Sequence, residues 1–283
     1  MERQSHAAEQ LRLIRALYPA LAERYATGAG AEPSSSARFD AWLDTEAGAL
    51  HAGAAFGGQG DAAVTERFGD AFRAAQRVAA VIGVAVPEPE AFAAAGVDLL
   101  HLGHLLGAQP ELTPVPAPYG LGASRWHAAF AEAAQRHPEV LATGPAATPL
   151  VLGAEAARGF AELDRIPESA IALPSVAQRD TAGGTLRWTL RLVPAGSTPS
   201  VLGLGFAHGP HVSLPEMLML QLMRITGGEE PVDTGTFTWL AGTVEGGRLA
   251  ARHVYDAGDQ VIRITCREIG NQGPHLGARP PLA

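Results

Sequence analysis

Two histidines in one tight turn, and five arginines at alternating positions, are the residues of this chain whose types could do chemistry. His208-Gly-Pro-His211 lies between an expected strand and an expected helix start. Helix starts favour anions, and two imidazoles there could bind a ligand or move protons. Asp256, with Asp259 at the same hairpin end, could orient one of those rings if folding brings them together. The plainer alternative is a strand-to-helix turn whose histidines are surface or capping residues.

The arginines follow a period of two. On the stretch 260–268, Ile262, Ile264 and Cys266 alternate with Arg263, Thr265 and Arg267. On 185–192, Leu186, Trp188, Leu190 and Leu192 alternate with Arg187, Thr189 and Arg191. Successive strand residues point to opposite faces. With the apolar sets turned inward, Arg187, Arg191, Arg263 and Arg267 are expected on the opposite face, and Arg252 could join them. Guanidinium groups pair bidentately with carboxylate and phosphate, so such a face could hold an anion or an acidic partner. The alternative is a solvated face, or one covered and neutralised by acidic residues elsewhere in the chain.

Other chemistry is thinner. Asp98, His101 and His104 fall on one side of an expected helix, but zinc takes three or four ligands and only His127 is an obvious further donor. No metal or cofactor is therefore implied. Cys266 is the sole cysteine, on the apolar side of its strand, which reads as a core thiol and excludes an intramolecular disulfide. Gly203-Leu-Gly-Phe-Ala-His208 and Gly120-Leu-Gly-Ala-Ser-Arg125 both miss the third glycine of a dinucleotide loop. Neither G-x-S-x-G nor H-E-x-x-H occurs. All 21 basic residues are arginine, so a Schiff-base lysine and a phosphate-loop lysine are ruled out by composition alone. Gly270-Asn-Gln-Gly-Pro-His275 could be a functional loop or a plain turn.

The 283 residues are 47% hydrophobic and 18% charged, enough apolar material for a sizeable core. A net charge of −8 argues against a generic nucleic-acid or anionic-membrane binder, since both need a positive footprint. The first residues form no apolar signal core and no run approaches the roughly 18 apolar residues of a membrane span, so the expected location is cytoplasmic.

The element that must position these residues is Ser213 to Ile225. Ser213 and Glu216 have capping-box spacing, Pro215 falls in the first turn, and Gly227-Gly228 supply a stop. The residues between are apolar almost all round, which predicts a helix buried on most sides. Strands are expected near 185–192, 200–206, 236–244, 248–256 and 260–268, with hairpin turns at Gly246-Gly247 and Gly258-Asp259. Helices are expected over 7–26, 37–55, 61–83, from Pro89 to about Leu106, over 123–137, and near 153–163. The proline-rich stretch 109–122 reads as a linker between a helical region, 1–108, and an α+β region, 123–283. The tail from Gly270 reads as irregular.

The expected class is α+β: a helical N-terminal half, then an antiparallel sheet packed on one buried helix. The expected function is a soluble intracellular binding or accessory protein without conventional catalysis. It would contact an acidic protein partner or anionic small molecule through the arginine face. One alternative is a metal-free hydrolase or lyase with His208 and His211 as acid and base. Another is a structural subunit of a homo-oligomeric assembly.

Overall fold

A computed structural model describes residues 62–144, 146–180 and 183–283. The helices expected over 7–26 and 37–55 lie outside the described residues. The chain order is α1 (Ala62–Ile82), α2 (Pro89–Ala94), α3 (Leu99–Ala108), β1 (Leu112–Tyr119), α4 (Ala123–Arg136), β2 (Leu150–Leu152), α5 (Ala154–Arg158), α6 (Phe160–Leu163), β3 (Val176–Arg179), β4 (Thr185–Pro194), β5 (Val201–Leu202), α7 (Leu214–Thr226), β6 (Phe237–Val244), β7 (Leu249–Asp256), β8 (Val261–Glu268) and β9 (Leu276–Ala278).

Helix α7 is the expected buried helix. Every residue from Leu214 to Met223 is buried, including Glu216 and Gln221. The capping box forms in both directions: the Ser213 hydroxyl accepts from the Glu216 N–H, and the Glu216 carboxylate accepts from the Ser213 N–H. Gly227 closes the last turn, and Gly228 at φ +75° is the left-handed residue that follows it. Helix α7 packs against α1, α4, β1 and β6, so its apolar circumference meets a layer on each side. Each fully buried Leu, Ile or Met there contributes about 1.5–3 kcal/mol.

The class is α+β as expected, but the strands divide into two sheets. The first is antiparallel with the order β1-β4-β3; the second has the order β2-β8-β7-β6-β9-β5. In the second, β8-β7-β6 and β9-β5 are antiparallel, while β2 and β9 run parallel to β8 and β6. One hydrophobic core runs through both, from Val64 and Phe68 on α1 to Ile264 and Cys266 on β8.

The stretch expected as a linker holds β1, paired with β4 along its whole length. Its prolines at 114, 116 and 118 alternate, so all three place their missing N–H on the side away from β4. The partner confirms the phase. Leu192, opposite Pro114, directs both its N–H and its C=O to Leu282 instead. Proline is tolerated in a sheet at such an edge, where no ladder donor is lost. Arg67 of α1 secures the approach to β1, donating to the carbonyls of Leu106, Gln109, Pro110 and Leu112.

Three further departures have local causes. The helix expected from Pro89 to Leu106 is two helices, because Gly96 turns at φ +105° and Asp98 caps a new start by accepting from the His101 N–H. The strand expected over 200–206 stops after Leu202, where Gly203 takes φ +78°. The tail expected to be irregular contributes β9, inserted between β6 and β5, and Leu282, which bridges to β4.

Candidate functional site

The five arginines do not share one face. Arg187 and Arg191 lie on β4 in the three-stranded sheet; Arg252, Arg263 and Arg267 lie on β7 and β8 in the six-stranded one. On β4 the expected orientation is also reversed, because Thr189 and Arg191 lie on the α7 side. Arg191 is buried and donates from Nε and from a terminal nitrogen to the two oxygens of Glu216, at 2.6 and 2.5 Å. Burial alone would lower its pKa, but the Glu216 carboxylate outweighs it and holds the guanidinium charged. The same carboxylate accepts from the Ser213 hydroxyl, which meets the Tyr119 hydroxyl at 2.8 Å. Burial first, then the Glu216 charge, pushes the Tyr119 phenol far above its ordinary value. Arg191 is thus a structural cation. Arg187 is exposed and, among the described residues, reaches only Ser175 Oγ, at 3.4 Å.

On the six-stranded sheet the expected alternation holds for β8. Ile262, Ile264 and Cys266 join the core, and Arg263, Thr265 and Arg267 take the other face. Arg263 is neutralised where it stands, by Asp256 at 2.9 Å and by Asp259. The other two arginines differ. Arg252 sits opposite Thr265 in the β7–β8 ladder, donates from Nε to Thr265 Oγ1 at 3.1 Å, and lies 3.9 Å over the Phe237 ring. Burial first, then the charge of Arg267, lowers the Arg252 pKa from its usual value. Among the described residues neither Arg252 nor Arg267 is ion-paired with a carboxylate. This face therefore carries two neighbouring arginines without a carboxylate partner among the described residues.

His208, His211 and Asp256 are not assembled into an acid–base site. The Asp256 carboxylate holds Arg263 and accepts from the N–H groups of Gly258 and Asp259. His211 is buried, stacked on Phe206 at 4.8 Å, and places Nε2 2.6 Å from the Phe206 carbonyl oxygen. That oxygen can only accept, so Nε2 donates and Nδ1 is the bare nitrogen. Burial lowers the His211 pKa and keeps the ring neutral. Phe206 in turn meets Trp239 edge-on, so His211 belongs to a small aromatic cluster on the outer face of the sheet. His208 is exposed on the preceding 3-10 turn.

An aspartate–histidine pair does form elsewhere, from residues the spacing gave no reason to join. His253 Nδ1 donates to Asp233 Oδ2 at 2.9 Å, and His253 Nε2 accepts from Gln221 Nε2 at 3.0 Å. The Gln221 amide is fixed by pairing with both backbone groups of Val232. Arg279 donates to the other Asp233 oxygen. Burial would raise the Asp233 pKa, but the His253 hydrogen bond and the Arg279 charge override it and lower it. Asp233, His253, Gln221 and Arg279 all have no exposure, so this pair fastens buried elements together.

Among the described residues the remaining candidates form no common site. Asp98 is the α3 cap, and His101 and His104 are exposed. Burial lowers the pKa of His127. Among the described residues no three His, Cys, Asp or Glu side chains are grouped to hold a metal ion. Burial, followed by the charges of Glu155 and Glu245, pushes the Cys266 thiol up to about 11, so it is a poor nucleophile at neutral pH. The Asn271 N–H bonds the Glu268 carbonyl in a turn after β8. No described helix is long and apolar enough to cross a membrane.

Set against known protein families, curated proteins and solved structures, the chain matches none.

Proposed function

We propose that this chain is a binding or accessory protein without conventional catalysis, and that it contacts an acidic partner or anionic ligand through Arg252 and Arg267. The observation that carries the reading is the contrast in how the arginines are paired. Arg191, Arg263 and Arg279 each have a carboxylate within the fold. Arg252 and Arg267 face each other's charge with none, on a surface open to solvent. Holding like charges together costs free energy that an external anion would recover. In a chain of net charge −8, that local positive surface would also orient an acidic partner as it approaches.

The test is titration with a hexaglutamate peptide at low ionic strength, followed by isothermal calorimetry. Saturable binding is expected, weakened roughly tenfold by Arg252→Gln with Arg267→Gln, as for loss of charge-assisted hydrogen bonds. It should be unchanged in Arg187→Gln. Binding that survives the double substitution, or none at all, overturns the reading.

A further inference from the structure

We infer that Arg252, Thr265 and Arg267 form a seat for a tetrahedral oxyanion of the phosphate-monoester class; this rests on the binding reading above and specifies its ligand. The argument is a count of donors. Thr265 Oγ1 accepts from Arg252 Nε on one lone pair, while its own proton has no acceptor among the described residues. With Nε so engaged and Cζ over the Phe237 ring, the Arg252 guanidinium is held at two points, its two terminal nitrogens without a hydrogen-bond partner among the described residues. Arg267 follows Thr265 by two residues on the same strand face and contributes a second fork. Arg252 stands directly across from Thr265, and Arg267 across from Ala250, so the forks approach from neighbouring strands with the hydroxyl between them.

The set therefore offers four terminal N–H groups from Arg252, the fork of Arg267 and one O–H. A carboxylate can use one fork. A phosphate group has oxygens for both forks and the hydroxyl at once, and its second negative charge offsets the repulsion between the two guanidiniums. Arg263 is excluded from the seat because Asp256 and Asp259 already hold it.

The experiment titrates the full chain with inorganic phosphate, with methyl phosphate and with acetate at low ionic strength, following the arginine Nε–Hε signals by NMR. Inorganic and methyl phosphate are expected to shift the Arg252 signal saturably, and acetate is not. Tighter binding of methyl phosphate assigns the seat to an ester-borne group; tighter binding of inorganic phosphate assigns it to the free ion. Thr265→Val, which keeps the shape and strand preference of the side chain, should weaken phosphate roughly tenfold and hexaglutamate by clearly less, since only phosphate also takes the hydroxyl proton. Arg267→Gln, at an exposed position, should weaken both. Phosphate binding equal in wild type and Thr265→Val, or absent, overturns the inference. If hexaglutamate still binds through Arg252 and Arg267 in that case, the binding reading stands alone; if neither ligand binds, both fall.

Discussion

Glu216 closes the α7 capping box, accepts from the Ser213 hydroxyl and neutralises Arg191, all without exposure to solvent. Removing one member of such a pair strands the other charge in the core. Arg191→Met should therefore cost about 3–5 kcal/mol in urea unfolding. Arg191→Met with Glu216→Gln should cost less than that single change, because no unpaired charge remains and Gln can still serve the cap. Asp164 gives a second prediction. Burial pushes its carboxyl up from 3.8 to about 6, against hydrogen bonds from Gly122 and Gly120, and its Oδ1 has no partner. The folded state then holds the proton more tightly than the unfolded one. Stability from this group is full below pH 3.8 and is lost as pH rises through about 6, a change of about 3 kcal/mol. Asp233, lowered in the fold, works in the opposite sense and loses stability only as pH falls below its unfolded value. Urea midpoints measured across that window should fall with rising pH in wild type and lose this slope in Asp164→Asn. At this scale the capping box was legible because both partners lie within four residues. Arg252 and Arg267 were legible as arginines on a strand face, but Thr265 was not, since a threonine in a strand is ordinary until its neighbours' hydrogen bonds are known.

Among the elements, β1 shows where local reading runs out. Four prolines in nine residues argue against a regular helix, and correctly. Whether they also exclude a strand depends on which side the N–H groups would have pointed, which is set by the partner strand and not by β1 itself. The alternation of Pro114, Pro116 and Pro118 was present in the sequence; the position of β4 was not. Pro116→Ala should accordingly cost about 1–3 kcal/mol in thermal stability, since a buried ring is trimmed and the new N–H gains no ladder bond on the β4 side. Ala117→Pro puts the missing donor on that side and should cost about 3 kcal/mol or more in the same measurement. The two-sheet division has the same origin. Alternation identified β4 and β8 as strands with an arginine side each, but alternation is silent on which sheet a strand joins. On that point the five arginines expected on one face divide, two on β4 and three on β7 and β8.

At the largest scale, the two sheets are tied together by the residues from Leu276 to Leu282. β9 lies inside the six-stranded sheet, Arg279 joins Asp233 to the Pro194 carbonyl at the end of β4, and Leu282 extends the three-stranded sheet. The fit is close: a Cβ at Gly277 would overlap the Val201 carbonyl oxygen. With one core running through both sheets, far-UV circular dichroism and tryptophan fluorescence should report a single unfolding transition. Arg279→Gln should lower both midpoints together, by about 3–5 kcal/mol, because Asp233 loses its cationic partner in the interior. Separation of the two probes in that variant would show that the sheets unfold independently. The role of the tail was illegible because Gly and Pro dominate its composition and its partners lie 46 and 85 residues away.

The outer edge of β1 has one more consequence, for how copies of the chain behave when crowded. A strand arriving from another molecule needs donors and acceptors in alternation to extend a sheet. Along this edge Pro114, Pro116 and Pro118 offer carbonyls only, and the Leu112 carbonyl is already held by Arg67. Templated growth of cross-β stacks cannot begin there. The same three residues that made the segment look like a break in the fold keep this edge of its first sheet from becoming a seed.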